Sequence, residues 1–286
     1  MVLLQHADAN MLQLADDEER RFPKAAQAIR KRRFADDFYE GTDSISEALD
    51  HRYQLIPILA AAKMEVGKWS SNVSELLPTE VVESKDEIFK DEVVSALGIK
   101  WNSKIDTFCF RVSQFIADDT KLITKRRITS DEAKLFDPIG WFSPVVIRAK
   151  ILIQDLWHQD LNRDQAVPAQ SVSTWIKFRD QLKEIETILI PRWLGSFESS
   201  RFELHCFCDA SEKAYVAALY AVIYTVNKIT SKLITCKSKV APIKTVSIPR
   251  LELCGAVVLS RLTTYVLQKF ERVPSRVHCW SDSKVV

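Results

Sequence analysis

The sequence lacks the features of a membrane protein or a secreted protein. It has no hydrophobic run long enough to span a bilayer, and its first four residues are too few for the apolar core of a signal peptide. Its six cysteines form no Cys-x-x-Cys pair, and buried apolar thiols explain them better than a zinc site does. We therefore expect an intracellular, cytoplasmic protein in a reducing compartment, with no membrane partner.

The sequence also lacks an excess of charge of either sign. It contains 40 Lys and Arg against 38 Asp and Glu, so a net charge of +2 neither supports nor excludes a polyanionic partner. The Asp-Thr-Gly and Asp-Ser-Gly triplets are absent, which leaves no residues for aspartic peptidase chemistry. Hydrophobic residues make up 47% of the 286 residues and charged residues 27%, a composition typical of globular proteins with two or three compact units.

Three acidic residues lie at suggestive places in the last third of the chain. Asp209 ends a predicted strand whose residues alternate between two faces, and an apolar run over 214–226 predicts a second strand directly after it. Glu252 lies early in a predicted helix that Pro249 opens. Asp282 closes another short strand. The three carboxylates could therefore converge on one edge of a sheet.

Such a cluster repels itself unless cations neutralise it. Hard oxygen ligands suit Mg²⁺ or Mn²⁺, and two ions about 4 Å apart can activate a water and stabilise the leaving oxygen of a phosphodiester. Each acid taken alone is more simply a solvated surface residue. The order strand, strand, strand, helix, strand, with acids at the junctions, favours the metal-dependent nuclease.

The N-terminal third contains a second pair of acids. Residues 34–41 predict a β-hairpin whose tip presents Asp36 and Asp37, although such a pair is usually only a turn. The basic stretch 30–33 before it is either a solvated helix end or loop, or a phosphate contact.

A capping box and a polar turn mark the next elements. Ser44 and Glu47 predict the start of a helix that runs to about residue 62, and Pro57 should break or kink it. Its expected buried stripe is Ile45, Leu49, Ile56 and Leu59. Residues 97–110 predict two strands around a polar turn at Asn102 and Ser103.

Residues 121–196 are predicted to be helical. Ser130 is expected to cap a short helix that ends in a turn at 136–140, and Ser143 is expected to cap the next helix. A third helix should bury Trp175, Phe178, Leu182, Ile185 and Leu189. Five basic residues either line a template-primer groove or belong to a solvated helix face: Lys125, Arg126, Arg127, Arg148 and Lys150.

Several stretches together resemble the start of an RNase H domain in the form carried by polyproteins of BEL/Pao-type retrotransposons. They are residues 207–215, 236–244, 248–253 and 280–283, and residues 136–157 and 190–194 extend the likeness. The resemblance implies that Asp209, Glu252 and Asp282 are catalytic ligands of Mg²⁺ or Mn²⁺. It also implies a truncated RNase H domain, because the sequence stops four residues after Asp282. Val216 departs from the usual small residue.

The resemblance extends to a reverse transcriptase. It implies that Asp36 and Asp37 are the catalytic metal ligands of a partial palm, with Phe34 where the family usually has tyrosine. It also implies a primer grip over 97–110, which assigns Leu97, Gly98 and Lys100 to nucleic-acid binding. The fingers, much of the palm and the other catalytic aspartate are not in this sequence.

These observations predict an α+β multidomain fold with three parts. Residues 1–120 form a partial reverse transcriptase palm, 121–196 a helical thumb and connection, and 201–286 a truncated RNase H-like α/β domain, with a linker over 191–200. The predicted function is that of a fragment of a retrotransposon pol polyprotein. It descends from an RNA-directed DNA polymerase with RNase H and is inactive in polymerisation. The alternatives are a non-catalytic remnant that binds RNA/DNA hybrids and, less well supported, a stand-alone nuclease. Expected partners are an RNA/DNA hybrid or template-primer and the other parts of the polyprotein.

Overall fold

The computed structural model describes residues 2–34, 37–67, 69–77, 93–96, 99–110, 112, 122–135, 137–159, 161–195 and 200–286. The chain divides into two compact units. The first comprises Met1–Val94 with Ser103–Ile105, and the second Ser95–Asn102 with Asp106–Val286. In the part of the chain so described, no helix combines the length and the apolar character needed to cross a membrane.

The first unit is built on three helices, α1 (Val2–Glu18), α2 (Pro23–Lys31) and α3 (Ile45–Ala61). The basic stretch 30–33, which the sequence left open as a solvated helix end or loop, begins at the end of α2, since Arg30 and Lys31 lie in the last turn of that helix. The core contains three alanines, whose small side chains let the helices approach closely. The buried residues are Met11, Ala15, Ala25, Ala26, Ile29, Leu55, Ile58 and Leu59.

Helix α3 begins as predicted but buries a different face. The Ser44 hydroxyl accepts a hydrogen bond from the Glu47 N–H at 3.2 Å, which confirms the cap. The predicted stripe is wrong for Ile45 and Ile56, which are 45% and 43% exposed. Apolar residues occur on more than one side of this helix, and the core takes the side that meets α1 and α2. Pro57 lies inside the helix, which continues to Ala61.

The predicted hairpin of the first unit is present. Strands β1 (Arg33–Phe34) and β2 (Asp37–Phe38) pair in antiparallel fashion, with Phe34 opposite Asp37. Asp36, at the tip, lies outside the described residues.

A sheet of four short strands has the order β3-β4-β5-β6. Its strands are β3 (Val93–Ala96), β4 (Ile99–Asn102), β5 (Thr107–Cys109) and β6 (Ile190–Pro191). Strands β4 and β5 confirm the two predicted strands, but Asn102, predicted in the turn, is the last residue of β4 and pairs with Thr107. The Asp106 carboxylate in that turn accepts hydrogen bonds from Trp101 Nε1 at 3.0 Å and Arg192 Nε at 2.5 Å. These bonds connect the turn to the end of β6.

Three further helices follow, α4 (Lys125–Ala133), α5 (Ser143–Trp157) and α6 (Ala169–Gln181), and a 3₁₀ segment, Leu182–Thr187, extends α6. They share a core that includes Ile128, Val146, Ala149, Leu156, Trp175, Phe178, Leu182 and Ile185. The stripe predicted for the third helix is therefore confirmed except at Leu189, which is 50% exposed.

Two predicted caps in this region are wrong. Thr124 caps α4, because its hydroxyl accepts from the Arg127 N–H at 3.2 Å, whereas Ser130 lies inside the helix. Phe142 precedes α5, and Ser143 is its first helical residue. Both serines stand within a turn or two of a real helix start, so local preference alone could not choose between neighbouring candidates.

The larger sheet has the strand order β10-β7-β8-β9. Strands β7 (Arg201–Ala210), β8 (Ala214–Tyr224) and β9 (Ile229–Val240) form an antiparallel meander. Helix α7 (Ile248–Lys269) follows β9, and β10 (Val277–Trp280) then pairs in parallel with β7. Helix α7 packs on one sheet face through Leu259 and Val266. The core there includes Leu204, Cys206, Cys208, Ala217, Leu219, Ala221 and Ile223. The thiols of Cys206 and Cys208 are thus buried, as predicted.

A turn before α5 packs against β9. The Asp137 carboxylate accepts hydrogen bonds from the backbone N–H groups of Gly140, Trp141 and Phe142 at 2.8 to 3.0 Å. The carbonyl of the intervening Ile139 accepts from the Cys236 N–H of β9 at 2.9 Å. The helices and the larger sheet thus belong to one packed unit, and the predicted boundary between 196 and 201 stays a prediction.

Candidate metal centre

The register of the larger sheet brings two aspartates to the same edge. In the parallel pair of β7 and β10, Phe207 lies opposite Trp280. Asp209 comes two residues after the first of these and Asp282 two residues after the second. Since parallel strands run in the same direction, the two side chains lie at the same level beyond that pair. Both are exposed to solvent.

Helix α7 supplies the third carboxylate. Glu252 lies in its first turns and is 7% exposed. One turn later, Gly255 lies against the end of β7, where an added Cβ would be 3.4 Å from the Asp209 carbonyl oxygen and 3.7 Å from the Val216 carbonyl oxygen. The absence of a side chain at Gly255 thus lets the helix approach the strand closely. That approach carries Glu252 to the sheet edge.

The three side chains converge. One carboxylate oxygen of each of Asp209, Glu252 and Asp282 lies within 4.8 Å of the others. Burial raises the pKa of Glu252, and the charges of Asp209 and Asp282 raise it further. Its Oε2 atom is buried without a hydrogen-bond partner among the described residues. Such an arrangement is electrostatically unfavourable without a positive charge.

This donor set fits a hard divalent cation. Three carboxylates without histidine or cysteine are the ligands that suit Mg²⁺ or Mn²⁺, and the orphaned Glu252 oxygen provides an unused coordinating atom. The N–H of Ala210 donates to Asp209 Oδ1 at 2.7 Å, which helps to orient that carboxylate. The convergence predicted from the sequence is therefore present.

The family model for a "Pao retrotransposon-like RNaseH-like domain" matches residues 124–283. The chain belongs to this family. The match begins at Thr124, the cap of α4, so it includes α4, α5 and α6 together with the larger sheet and all three carboxylates. A mixed α/β RNase H-like fold is therefore shown for this part of the chain.

A solved structure provides a second comparison. A foamy viral protease-reverse transcriptase, "dRH", in complex with double-stranded DNA, matches with a TM-score of 0.54 and 14% sequence identity. The match covers 98% of this chain and 42% of that one, so this chain spans less than half of the viral protein's length. At this identity the likeness concerns the fold alone. No curated protein matches the chain.

The other predicted catalytic acids are not brought into this centre. Asp37 belongs to the first unit, and its Oδ2 accepts a hydrogen bond from the Tyr39 hydroxyl at 3.0 Å. Two groups of side chains in the described part of the chain could hold a metal, and Asp37 is in neither. Asp36, Leu97 and Gly98 lie outside the described residues. A polymerase role for these positions stays a prediction.

Three of the predicted nucleic-acid ligands have protein partners. Lys125 is 6% exposed, and its Nζ lies 4.1 Å from the centroid of the Trp157 ring. Arg126 forms a bidentate pair with Asp164 at 2.6 and 2.8 Å, and Arg127 Nε lies 3.9 Å from a carboxylate oxygen of Asp131. Burial makes Lys125 the least accessible of the three to a phosphate. Their part in nucleic-acid binding stays a prediction.

The remaining predicted ligands are more open. Arg148 is exposed on α5, while Lys150 on the same helix and Lys100 on β4 are half-buried. These positions are accessible to a polyanion in whole or in part. Nothing in the described residues tests their role.

Sequence reasoning missed the second group that could hold a metal, Glu203, His205 and His278. Two of its members show a signal in the sequence, because residues two apart on a strand share a face. The third cannot be found in this way, since it depends on the parallel register of β10 against β7.

Proposed function

We propose that this chain is the RNase H part of a retrotransposon pol polyprotein, and that it hydrolyses the RNA strand of an RNA/DNA hybrid. The observation that carries the proposal is the convergence of Asp209 and Asp282 on a buried, unpartnered Glu252 oxygen at one edge of the sheet. Membership of the Pao family supports it.

The three carboxylates have different tasks in this proposal. Glu252 is fixed by burial and would hold Mg²⁺ or Mn²⁺ from the protein side. Asp209 and Asp282 are exposed and complete the site on the side from which a phosphodiester can approach. When bound, such cations activate a water and stabilise the leaving oxygen of the phosphodiester. The chain positions this charge at the sheet edge, where substrate has access.

We also propose that the chain descends from an RNA-directed DNA polymerase and works beside the other parts of the polyprotein, but does not itself extend primers. The fold likeness to a viral reverse transcriptase supports the descent. Among the described residues, Asp37 belongs to neither group of side chains that could hold a metal, and its carboxylate accepts a hydrogen bond from the Tyr39 hydroxyl. Template-directed extension of a labelled primer by the purified chain would refute the proposal that it does not extend primers.

The nuclease proposal is tested with a labelled RNA/DNA hybrid and the purified full chain, with Mg²⁺ and with Mn²⁺. Asp209→Asn, Glu252→Gln and Asp282→Asn should each lower the cleavage rate by about 100-fold or more, because each removes a ligand of the charge that stabilises the transition state. Glu212→Gln is the matched control: it removes one negative charge in the turn three residues after Asp209, outside the cluster. It should cleave like the native chain.

Hybrid binding, measured in the same samples, separates the alternatives. Cleavage that survives in all three variants would remove the carboxylates from the mechanism. Binding of the hybrid by the native chain without any cleavage would favour the non-catalytic remnant instead.

A further inference from the structure

A second set of possible metal ligands lies on the sheet face opposite α7. His278 on β10 is the register partner of His205 on β7, and Glu203 precedes His205 by two residues on the same strand. The three side chains therefore point to one face. The intervening Leu204 points to the other face, into the core beneath α7. The group is thus formed by two neighbouring parallel strands, independently of the helix that supplies Glu252.

The ligand atoms have the separations of a small coordination site. Glu203 Oε2 lies 3.5 Å from His205 Nε2 and 3.7 Å from His278 Nε2, and one ligand atom of each residue lies within 4.8 Å of those of the others. Ligands bound at about 2.0 to 2.1 Å in a tetrahedral zinc site stand roughly 3.3 Å apart. Small side-chain rotations would therefore bring the three atoms around one ion.

One of these atoms has only a long contact, 3.5 Å, with the Glu203 carboxylate. His205 Nε2 is buried and makes no hydrogen bond of normal geometry with any described residue. A buried polar atom without a well-formed hydrogen bond is uncommon in proteins and often marks a place for an ion or water. Here it faces the carboxylate oxygen of Glu203 and lies in the same group as the nitrogen of His278.

The carboxylate is already oriented by neighbours. Glu203 is 4% exposed; the Tyr224 hydroxyl donates to its Oε2 at 3.0 Å, and Arg201 donates to its Oε1. A carboxylate oxygen has two lone pairs, so Oε2 can accept from Tyr224 and still coordinate an ion. Hydrogen bonds of this kind fix metal-binding carboxylates in many proteins.

We propose that Glu203, His205 and His278 bind one borderline divalent transition-metal ion, of which Zn²⁺ is the representative. Two imidazoles and one carboxylate form a recurrent zinc ligand set that leaves a fourth position for water, and the histidine side chains, 22% and 33% exposed, leave access from solvent. This donor set differs from the three carboxylates at the other site, which suit hard cations. The ion would join the four-residue strand β10 to β7, the same strand pair that precedes Asp282 and Asp209.

Cobalt provides a direct test. The untagged full chain, freed of metals with a chelator that is then removed, is titrated with Co²⁺, whose visible absorption reports tetrahedral coordination with nitrogen ligands. We expect one Co²⁺ per chain, displaced by Zn²⁺ and not by Mg²⁺. His205→Gln and His278→Gln should each weaken binding by about 100-fold. Tyr224→Phe, which keeps all three ligands and loses one orienting hydrogen bond, should weaken it by about 10-fold.

Two matched controls make the test specific. His158→Gln removes a histidine elsewhere in the same unit, and Asp209→Asn disables the three-carboxylate site; both should bind Co²⁺ like the native chain. In thermal unfolding, Zn²⁺ should raise the Tm of the native chain and of both controls, but not of His205→Gln or His278→Gln. Native chain that binds no Co²⁺, or binding that is unchanged in both histidine variants, would overturn the proposal. Loss of binding in Asp209→Asn would place the ion at the other site.

Discussion

Replacing Gly140 by alanine should destabilise the second unit through a clash with a neighbouring strand. Gly140 has φ of +82°, and an added Cβ would lie 1.7 Å from the Cys236 carbonyl oxygen of β9. The obstacle is backbone within a paired strand, so a side-chain rotation cannot relieve it. Alanine must therefore move the whole turn away from the sheet.

The expected cost has two parts. A left-handed backbone costs a residue with a Cβ about 1 to 2 kcal/mol. Moving the turn also breaks two hydrogen bonds to the Ile139 carbonyl, from the Cys236 N–H at 2.9 Å and the Thr235 hydroxyl at 2.6 Å, each worth about 1 kcal/mol. The sum is about 3 to 4 kcal/mol. For a unit of this size, each kcal/mol lowers Tm by about 2 to 4 °C.

Gly195→Ala is the matched control. Gly195 also has a left-handed φ, +90°, but an added Cβ there would meet no atom of the described residues within 4 Å. It should therefore show the backbone cost without the clash. Thermal unfolding followed by circular dichroism should place the Tm of Gly140→Ala about 4 to 8 °C below that of Gly195→Ala. Equal Tm values for the two variants would refute the clash.

Two further predictions concern helix ends and acid stability. Thr124→Ala should lower the unfolding free energy by about 1 kcal/mol, because the Arg127 N–H loses its acceptor, whereas Ser130→Ala should change it by less than about 0.5 kcal/mol. Urea unfolding of both variants checks this, and a larger loss in Ser130→Ala than in Thr124→Ala would contradict the observed cap. The Lys24 ammonium lowers the pKa of the Asp50 carboxyl in the folded protein. The stability that this carboxylate provides is therefore present above its unfolded pKa of about 3.9, and it is lost as pH falls through the lower folded pKa. Asp50→Asn should therefore unfold with a weaker dependence on pH below about 4, and an unchanged acid titration would exclude the ion pair as the cause.

The main carboxylate site could be predicted because its geometry follows from local patterns. Asp209 and Asp282 each follow an apolar strand, and Glu252 follows the proline that opens α7, so strand ends and a helix start were enough to place all three. Their convergence also needs the parallel pairing of β10 with β7 and the position of α7, which lies between β9 and β10 in the chain. The sequence contains the signals for the strand ends and the helix start, whereas the register of the two strands is seen only in the structure.

Other features depend on contacts that no local pattern contains. Leu55 and Ile58, rather than Ile45 and Ile56, face the core, because burial on α3 depends on where α1 and α2 lie. The pairing of His278 with His205 depends on the register of strands about seventy residues apart. Lys125 looks like a phosphate ligand in the sequence, yet it packs on an aromatic ring.

The contacts of β9 bear on how the sheet avoids self-association. An outer strand with unpaired backbone groups is a template on which a second chain can add a strand. Here three contacts cover part of the outer side of β9. The Ile139 carbonyl accepts from the Cys236 N–H of the strand, Gln154 donates to the carbonyl of Ala241, the residue after the strand, and the Lys232 side chain donates to the Trp193 carbonyl at 2.9 Å. Residues of the segment before β7, namely Ile139, Gln154 and Trp193, thus shield this edge of the sheet. A chain that lacked this segment and began at β7 would expose this edge, and a second chain could then pair with it.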